Sequence, residues 1–488
     1  MNAIKKISAK TYLIIVTIIA LIMRLLFVTK AAIWHDEGYS TMIVQHDFID
    51  IIGRTMRDFH PPLYYLSLRA WQYIFGDSVL ALRGFSILCG ILTVIVFYLL
   101  MRKLFNETTA RIAGFFVAIG PFAIRYSNEV RMYAMVALLV TLASYLLVTA
   151  LEQKTKQTRW KWWLLYALSI IAALYTQYYA FFIVPVHIGY TWRKLGGLQQ
   201  LVRNKYWWGA HLMVLVCYLP WVVVIKDQVT RVTNGFWIPA PTAETVPHTI
   251  SQFLTYTSSS AAFTYEIITL HLIIFGLIAI YLKKKSLRAP VLFLAAWVVV
   301  PIVGVLLLSI KQPVYQDRYF TYASIAFYGL LAVIIMHLPY FISHHRTQSI
   351  AFSILTFVLA SSLTSIAAQA RHRMDTVGDY VSSHVKQDDT IVSAELYTYF
   401  DFSYYNRSSV PTKLLYKDTM TGYGETSLVY DKPEILVKHI SDITSPRVWV
   451  IGKTGDHDYF TTEIPTHWKL VERKEAGDSV AQLYTIAE

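Results

Sequence analysis

The sequence predicts an α-helical polytopic membrane protein with a small α/β domain at its C-terminal end, and three features predict it. The 488 residues are 55% hydrophobic and 15% charged, with a mean hydropathy of +0.43, far too apolar for a water-soluble chain. Apolar runs approaching the roughly 20 residues a helix needs to cross a bilayer recur through the first three quarters. After residue 368 they stop, and short strand-like and helix-like stretches alternate instead.

About eleven transmembrane helices are expected, from runs at 12–28, 79–100, 112–124, 132–151, 162–174, 178–192, 207–225, 265–282, 290–310, 319–338 and 350–368. The third, fifth and sixth are short, and a helix hairpin with a tight turn near Tyr175 to Tyr178 accounts for the last two of these. With a cytoplasmic N-terminus, the inner segments hold 19 Lys and Arg against Glu107 and Glu152 alone, the bias of cytoplasmic loops. No small-residue cleavage site follows the first run, so it is expected as a retained helix. The chain is then a multi-pass protein of the cell membrane, with residues 30–78 and 371–488 outside the cytoplasm.

The net charge of +13 is therefore no sign of a nucleic-acid partner. Residues 1–370 hold 31 basic and 13 acidic side chains, and residues 371–488 hold 13 and 18, so the excess reflects topology. Cys89 and Cys217 both lie in apolar runs, leaving no disulfide framework or cysteine zinc site outside. The expected domains are 1–370, embedded in the membrane, and 371–488. In the latter, "DTIVSAEL", "TKLLY" and "RVWVIGK" read as strands, "RMDTVGDYVSSHV" and "PEILVKHI" as helices, and the end as one or two further strands. Asp456 and Asp458 form a D-x-D pair beside Gly455; a polar turn explains it without a metal.

The first outer loop, 30–78, carries the most chemistry. It opens with "WHDEGYS", Trp34 to Ser40, an acid pair between aromatics in a chain short of charge. Neighbouring residues do not face one way, so Asp36 and Glu37 address different partners. They are no glycosidase pair, which needs carboxyls facing each other roughly 5–9.5 Å apart. A solvated loop or a helix N-cap is the plainer reading. Ile49, Ile52, Met56 and Phe59 then recur at helical spacing opposite charged residues, the pattern of a helix lying in the membrane interface. "HPPLYYLSLRAWQYIF" follows, with prolines suited to a helix start and aromatics that favour the headgroup level.

Other polar clusters fall at the outer ends of the spans. "RYSNEVRMYAM" supplies Arg125, Glu129, Arg131 and Tyr133, "YTQYYA" supplies Gln177, Tyr178 and Tyr179, and "KQPVYQDRYF" supplies Lys311, Asp317, Arg318 and Tyr319. Arginines, an acid pair and tyrosines on one side suit an anion carrying sugar-like hydroxyls. Arg24, about twelve residues and so roughly 18 Å along the first helix, is expected to snorkel to the outer interface.

"WHDEGYS", "DFHPPLYYL", "YSNEVRMYAM" and "QDRYF", in that order, resemble the GT-C membrane glycosyltransferases, above all the bacterial PMT_2 or RgtA/B/C/D-like relatives of protein O-mannosyltransferases and aminoarabinose transferases. The likeness spans residues 10 to about 340. It implies a hexosyl or pentosyl donor on a polyprenyl phosphate, an outward-facing site, and an acid of the first outer loop as catalytic base, which maps onto Asp36 with Glu37 beside it. It further places His60, Tyr64, Arg125, Glu129, Arg131, Tyr133, Gln177, Tyr178, Arg318 and Tyr319 as substrate-binding candidates. Where aminoarabinose transferases have a lysine before their Pro-Pro, this chain has His60.

The implied partners are the polyprenyl-phosphate sugar, a lipid, glycan or protein acceptor, and the bilayer, within the cell envelope. The sequence makes no cofactor certain. A divalent metal stays open, since His35, Asp36, Glu37 and His60 are able ligands whose spacing matches no strong zinc motif. Two other classes remain: a transporter or flippase of lipid-linked glycans, whose polar residues should gather near the midplane, and a glycan polymerase or ligase, which differs only in its acceptor. A tail facing outside and lacking any cysteine, metal or nucleophile motif is expected to cover the cavity and help choose the acceptor, so a chain truncated near residue 371 should keep its donor.

Overall fold

In the computed structural model, the described residues are 7–232, 238–256, 263–338, 346–368, 372–393, 395–416, 422–454 and 464–486. The chain divides into two compact units, Met1–Phe27 with Arg83–Ala367, and Val28–Leu82 with Ala368–Glu488. The first outer loop thus packs with the tail, whereas the sequence groups it with the membrane part.

The first unit is helical. Helix lies on all eleven apolar runs, and among the described residues six helices are long and apolar enough to cross a membrane: Val79–Leu104, Tyr133–Glu152, Lys205–Arg231, Lys285–Ser309, Asp317–His337 and Thr347–Ala367. Tyr133–Glu152 and Asp317–His337 are mostly buried among the others. Lys205–Arg231 instead leaves Leu212, Leu215, Leu219 and Val223 exposed, a stripe at helical spacing suited to lipid rather than water. The third run is interrupted: Glu107–Ile119 ends at Gly120, and Pro121–Ser127 restarts with its proline in the first turn, where its missing N–H costs nothing.

That interruption explains a departure from expectation. Arg24 does not snorkel; it is fully buried, and its guanidinium donates to the carbonyls of Ala20 at 3.1 Å and Ala118 at 3.3 Å. A helix broken at Gly120 leaves its last carbonyls without partners, and Arg24 supplies one. Gly90 leaves the space: a Cβ there would lie 2.8 Å from Arg24 Nε and 2.2 Å from Ser127 Oγ.

The second unit holds three loop helices, α1 (His35–Ile43), α2 (Phe48–Arg57) and α3 (Leu63–Phe75), and a tail with α4 (Met374–His384) and α5 (Leu396–Tyr405). Its strands are β1 (Thr390–Ser393), β2 (Thr412–Leu415), β3 (Leu436–Val437), β4 (Arg447–Lys453), β5 (Trp468–Ala476) and β6 (Ser479–Ile486). They form one sheet ordered β3-β2-β1-β4-β6-β5. β1 to β4 run parallel, and the β5–β6 hairpin adds antiparallel to β4. Val392, Val448, Val450, Trp468 and Tyr484 centre an apolar core on the sheet.

Two tail elements differ from the sequence reading. "PEILVKHI" is no helix: Pro433–Ile435 is one 3₁₀ turn and Leu436–Val437 joins β2. Eight residues are too few for a stable isolated helix, and the open edge of β2 takes their backbone, Tyr416 N–H donating to the Val437 carbonyl at 2.9 Å. The aromatic stretch "LYTYFDFSYY" is helix α5, which no period announces. The Asp456 and Asp458 pair lies outside the described residues.

Candidate active site

In the second unit, the acid pair opens α1. Its N-cap Trp34 is extended and has no oxygen with which to cap. Glu37, three residues on, takes part of that work: its Oε2 accepts from the Trp34 N–H at 3.4 Å, and its side chain is fully buried. Asp36 is half-buried on another face, which is how the sequence read the pair. Acids in a first turn also suit the positive end of the helix. Gly38 is required by packing, since a Cβ there would sit 2.9 Å from the Phe400 carbonyl carbon on α5.

The rest of the loop is fastened through α1. Tyr39 meets Tyr65 with ring centroids 6.0 Å apart, and Tyr64 meets Tyr65 at 5.6 Å. Burial, then the charge of Asp58, raises the Tyr39 phenol well above its usual range. His60 is half-buried between Asp58 and α3. Helix α2 turns its charged side inward: Arg54 is buried and pairs with Asp50 at 2.9 Å and Asp431 at 2.6 Å. Its apolar residues Phe48, Ile49, Ile52 and Met56 are exposed, as are Tyr73, Ile74 and Phe75 of α3. Exposed Ile49, Ile52 and Met56 opposite buried Arg54 suit an interfacial helix, as the spacing predicts, but Phe59 departs from it: the helix ends at Arg57 and Phe59 lies half-buried beside Gly424.

Beside the acid pair the tail contributes a charged cluster that sequence reading missed. Asp401 of α5 is fully buried, with Lys453 Nζ at 3.2 Å, His372 Nε2 at 3.3 Å and His35 Nδ1 at 3.8 Å from its Oδ2. His372 also meets Asp478 at 3.0 Å. Burial alone pushes Asp401 up, but the close approach of His35 and His372 and the charge of Lys453 outweigh it and hold the carboxyl at about 2. Burial likewise disfavours charged His372, and Asp401 and Asp478 overcome it to lift the imidazole to about 9.

The pH dependence follows. Stabilisation through His372 is complete below its unfolded value of about 6.5 and is lost as pH rises through about 9. That through Asp401 is complete above about 3.9 and is lost only as pH falls through about 2. Hydrogen exchange of residues 372–405 should therefore show a His372→Asn variant less protected than wild type at pH 6, with the gap closing by pH 9.5. A gap that stays constant or widens over that range would contradict the assignment.

In the first unit, the sequence-predicted residues gather in two neighbouring groups. Arg125 pairs with buried Glu129 at 2.6 Å and donates to Tyr256 Oη at 3.0 Å. Tyr126 stands 5.2 Å from Tyr133, ring to ring, and within electrostatic range of Arg125, Glu129 and Arg318. In the second group, Tyr179 stacks on Tyr319 at 4.6 Å, and the Arg318 guanidinium lies 6.0 Å from the Tyr319 ring centre. Tyr178 donates to Gln228 at 2.5 Å and accepts from Trp221 Nε1 at 2.9 Å. Gln177 and Arg131 are buried. Tyr133 and Tyr319 both lie within range of Tyr179, which joins the groups. Sequence reading missed Tyr256, at the end of helix Thr245–Thr255 and in left-handed backbone at φ 48, a conformation that non-glycine residues adopt at a cost, often at functional sites.

Residues 59–224 match the family model described as dolichyl-phosphate-mannose-protein mannosyltransferase. The structure is similar to ArnT from Cupriavidus metallidurans bound to undecaprenyl phosphate, with a TM-score of 0.66 at 11% identity over 98% of both chains. The chain has the GT-C fold. Other GT-C structures share it: the Archaeoglobus fulgidus oligosaccharyltransferase, TM-score 0.51 at 13% identity over 90% of this chain and 68% of that one, and the mycobacterial arabinofuranosyltransferase AftD, TM-score 0.53 at 12% identity over 99% and 40%. An uncharacterized protein of Aquifex aeolicus (strain VF5) is 24% identical over 188 residues, 38% of this chain and 36% of its own length. Among the described residues, no group of three or more His, Cys, Asp or Glu is placed to hold a metal ion, and His35 is engaged by Lys453 and Asp401.

Proposed function

We propose that this chain is a membrane glycosyltransferase that moves a sugar from a polyprenyl phosphate to an acceptor hydroxyl on the outer side of the membrane, with Asp36 as general base. The supporting observation is the placing of the acid pair: Glu37 is buried and accepts from the backbone at the start of α1, while Asp36 stands half-buried on another face of the same turn, in a chain whose fold matches 98% of an undecaprenyl-phosphate-bound structure. The acceptor oxygen bonds to the anomeric carbon as its proton passes to Asp36, and the bond from that carbon to the phosphate oxygen breaks. A single displacement inverts the anomeric centre. The leaving phosphate monoester has a second pKa of about 6, so it needs positive charge rather than an acid.

Arg131 and Arg318 are the proposed phosphate ligands, with Arg125 behind them. The acceptor is a lipid, glycan or protein, and the sugar a hexose or pentose. Purified protein given radiolabelled undecaprenyl-phosphate mannose or aminoarabinose, with envelope lipid and glycan acceptors, should release undecaprenyl phosphate and label an acceptor. Carriage of intact donor across vesicles without cleavage would favour a flippase. Arg131→Lys and Arg318→Lys keep the charge but lose the planar fork. Losing one charge-assisted hydrogen bond, about 1.5–3 kcal/mol, should weaken donor use roughly tenfold or more at unchanged melting temperature. Unchanged donor kinetics in both would put the phosphate elsewhere.

A further inference from the structure

The segment just before and within the start of α1 is tied to the tail four times in seven residues. Ala32 N–H donates to the His372 carbonyl at 3.0 Å. Ile33 N–H donates to Tyr405 Oη at 2.8 Å. His35 Nδ1 lies 2.8 Å from Lys453 Nζ and 3.8 Å from Asp401 Oδ2. Gly38 rests on the Phe400 backbone. Tail residues far along the chain, up to 418 positions away, thus hold one short helix through the backbone that leads into it, its first side chain and its packed face.

The charged members of this set are poorly explained as simple stabilisers. A fully buried carboxylate between a lysine and two histidines must lose its hydration, and such clusters are often no better for stability than apolar residues of the same volume. What they do provide is a defined geometry, because each partner accepts few orientations. The residue so held is the neighbour of Asp36. A helix rotated about its axis by a fraction of a turn would aim Asp36 elsewhere, and misplacement by about 1 Å costs up to 10²-fold in rate.

We propose that Asp401, together with Lys453 and His372, is a positioning residue of the reaction: through His35 it fixes the rotation of α1 and so the direction of the Asp36 carboxylate. This rests on the reading of Asp36 as base. The tail then sets the catalytic loop, besides any part it has with the acceptor.

The test uses the full chain in nanodiscs, with hydrogen exchange of residues 35–43 and turnover of undecaprenyl-phosphate mannose or aminoarabinose. Asp401→Asn and the milder Lys453→Met should raise exchange there about tenfold or more and lower kcat by between about tenfold and a hundredfold. The KM for donor should stay within about twofold, the pattern of an interaction felt in the transition state. Lys453→Arg, which keeps a cation beside Asp401, should recover most of the rate, which a general loss of folding would not allow. Unchanged exchange and turnover in both Asp401→Asn and Lys453→Met, with Asp36→Asn inactive, would overturn the proposal and spare the base. Loosened α1 in those variants with Asp36→Asn fully active would overturn the base instead.

Discussion

Asp36→Asn should lower sugar transfer by roughly 10² or more while the protein still inserts and melts as before. The substitution keeps the size of a half-buried side chain at the second position of α1. Removing a negative charge from a first helical turn costs about 0.3–1 kcal/mol, too little to unfold a helix held by Tyr39, Gly38 and Ala32. The loss should therefore fall on kcat, measured as release of undecaprenyl phosphate in a single turnover, with donor KM nearly constant. Near-normal turnover would remove Asp36 from the role. Glu37→Gln should also slow the enzyme, by a different route: Gln keeps an acceptor for the Trp34 N–H but places an amide in a fully buried site, so the helix start loosens and protection of residues 35–38 falls with the rate.

The contrast between these neighbours was legible in the sequence, because adjacent residues cannot share a face, and so was their setting. A bilayer demands long contiguous apolar runs, and an interfacial helix demands apolar residues at 49, 52 and 56 opposite charges; both leave a mark in the local sequence. Asp401 left none. It sits in an aromatic stretch without period, and the partner that gives it meaning, His35, is 366 residues away. The same holds for Tyr256, which reaches Arg125 across 131 residues. "PEILVKHI" failed in the opposite sense: its local pattern suits a helix, but pairing with β2, a tertiary contact, claims its backbone.

Removing residues 372–488 should abolish transfer and donor hydrolysis together, rather than leave a donor-binding core without its acceptor site. From sequence alone the tail is expected to cover the cavity and help choose the acceptor, with donor binding left intact without it. The structure joins it to residues 28–82 instead. Without the tail, His35 loses Lys453 and Asp401, Gly38 loses Phe400, Tyr39 loses Ser427, and buried Arg54 loses Asp431. Breaking a buried pair at one partner costs about 3–5 kcal/mol, and less here because Asp431 is partly exposed; the remaining losses fall on a loop that, among the described residues, has no other sheet in its unit. A chain ending at residue 371, inserted in nanodiscs and shown helical by circular dichroism, should expose residues 28–82 to protease and rapid exchange. Its single-turnover rate should fall by roughly 10² or more, the cost of a misplaced base. Donor cleavage at the wild-type rate in that chain would show that the loop holds its active arrangement unaided, and would return the tail to acceptor docking alone.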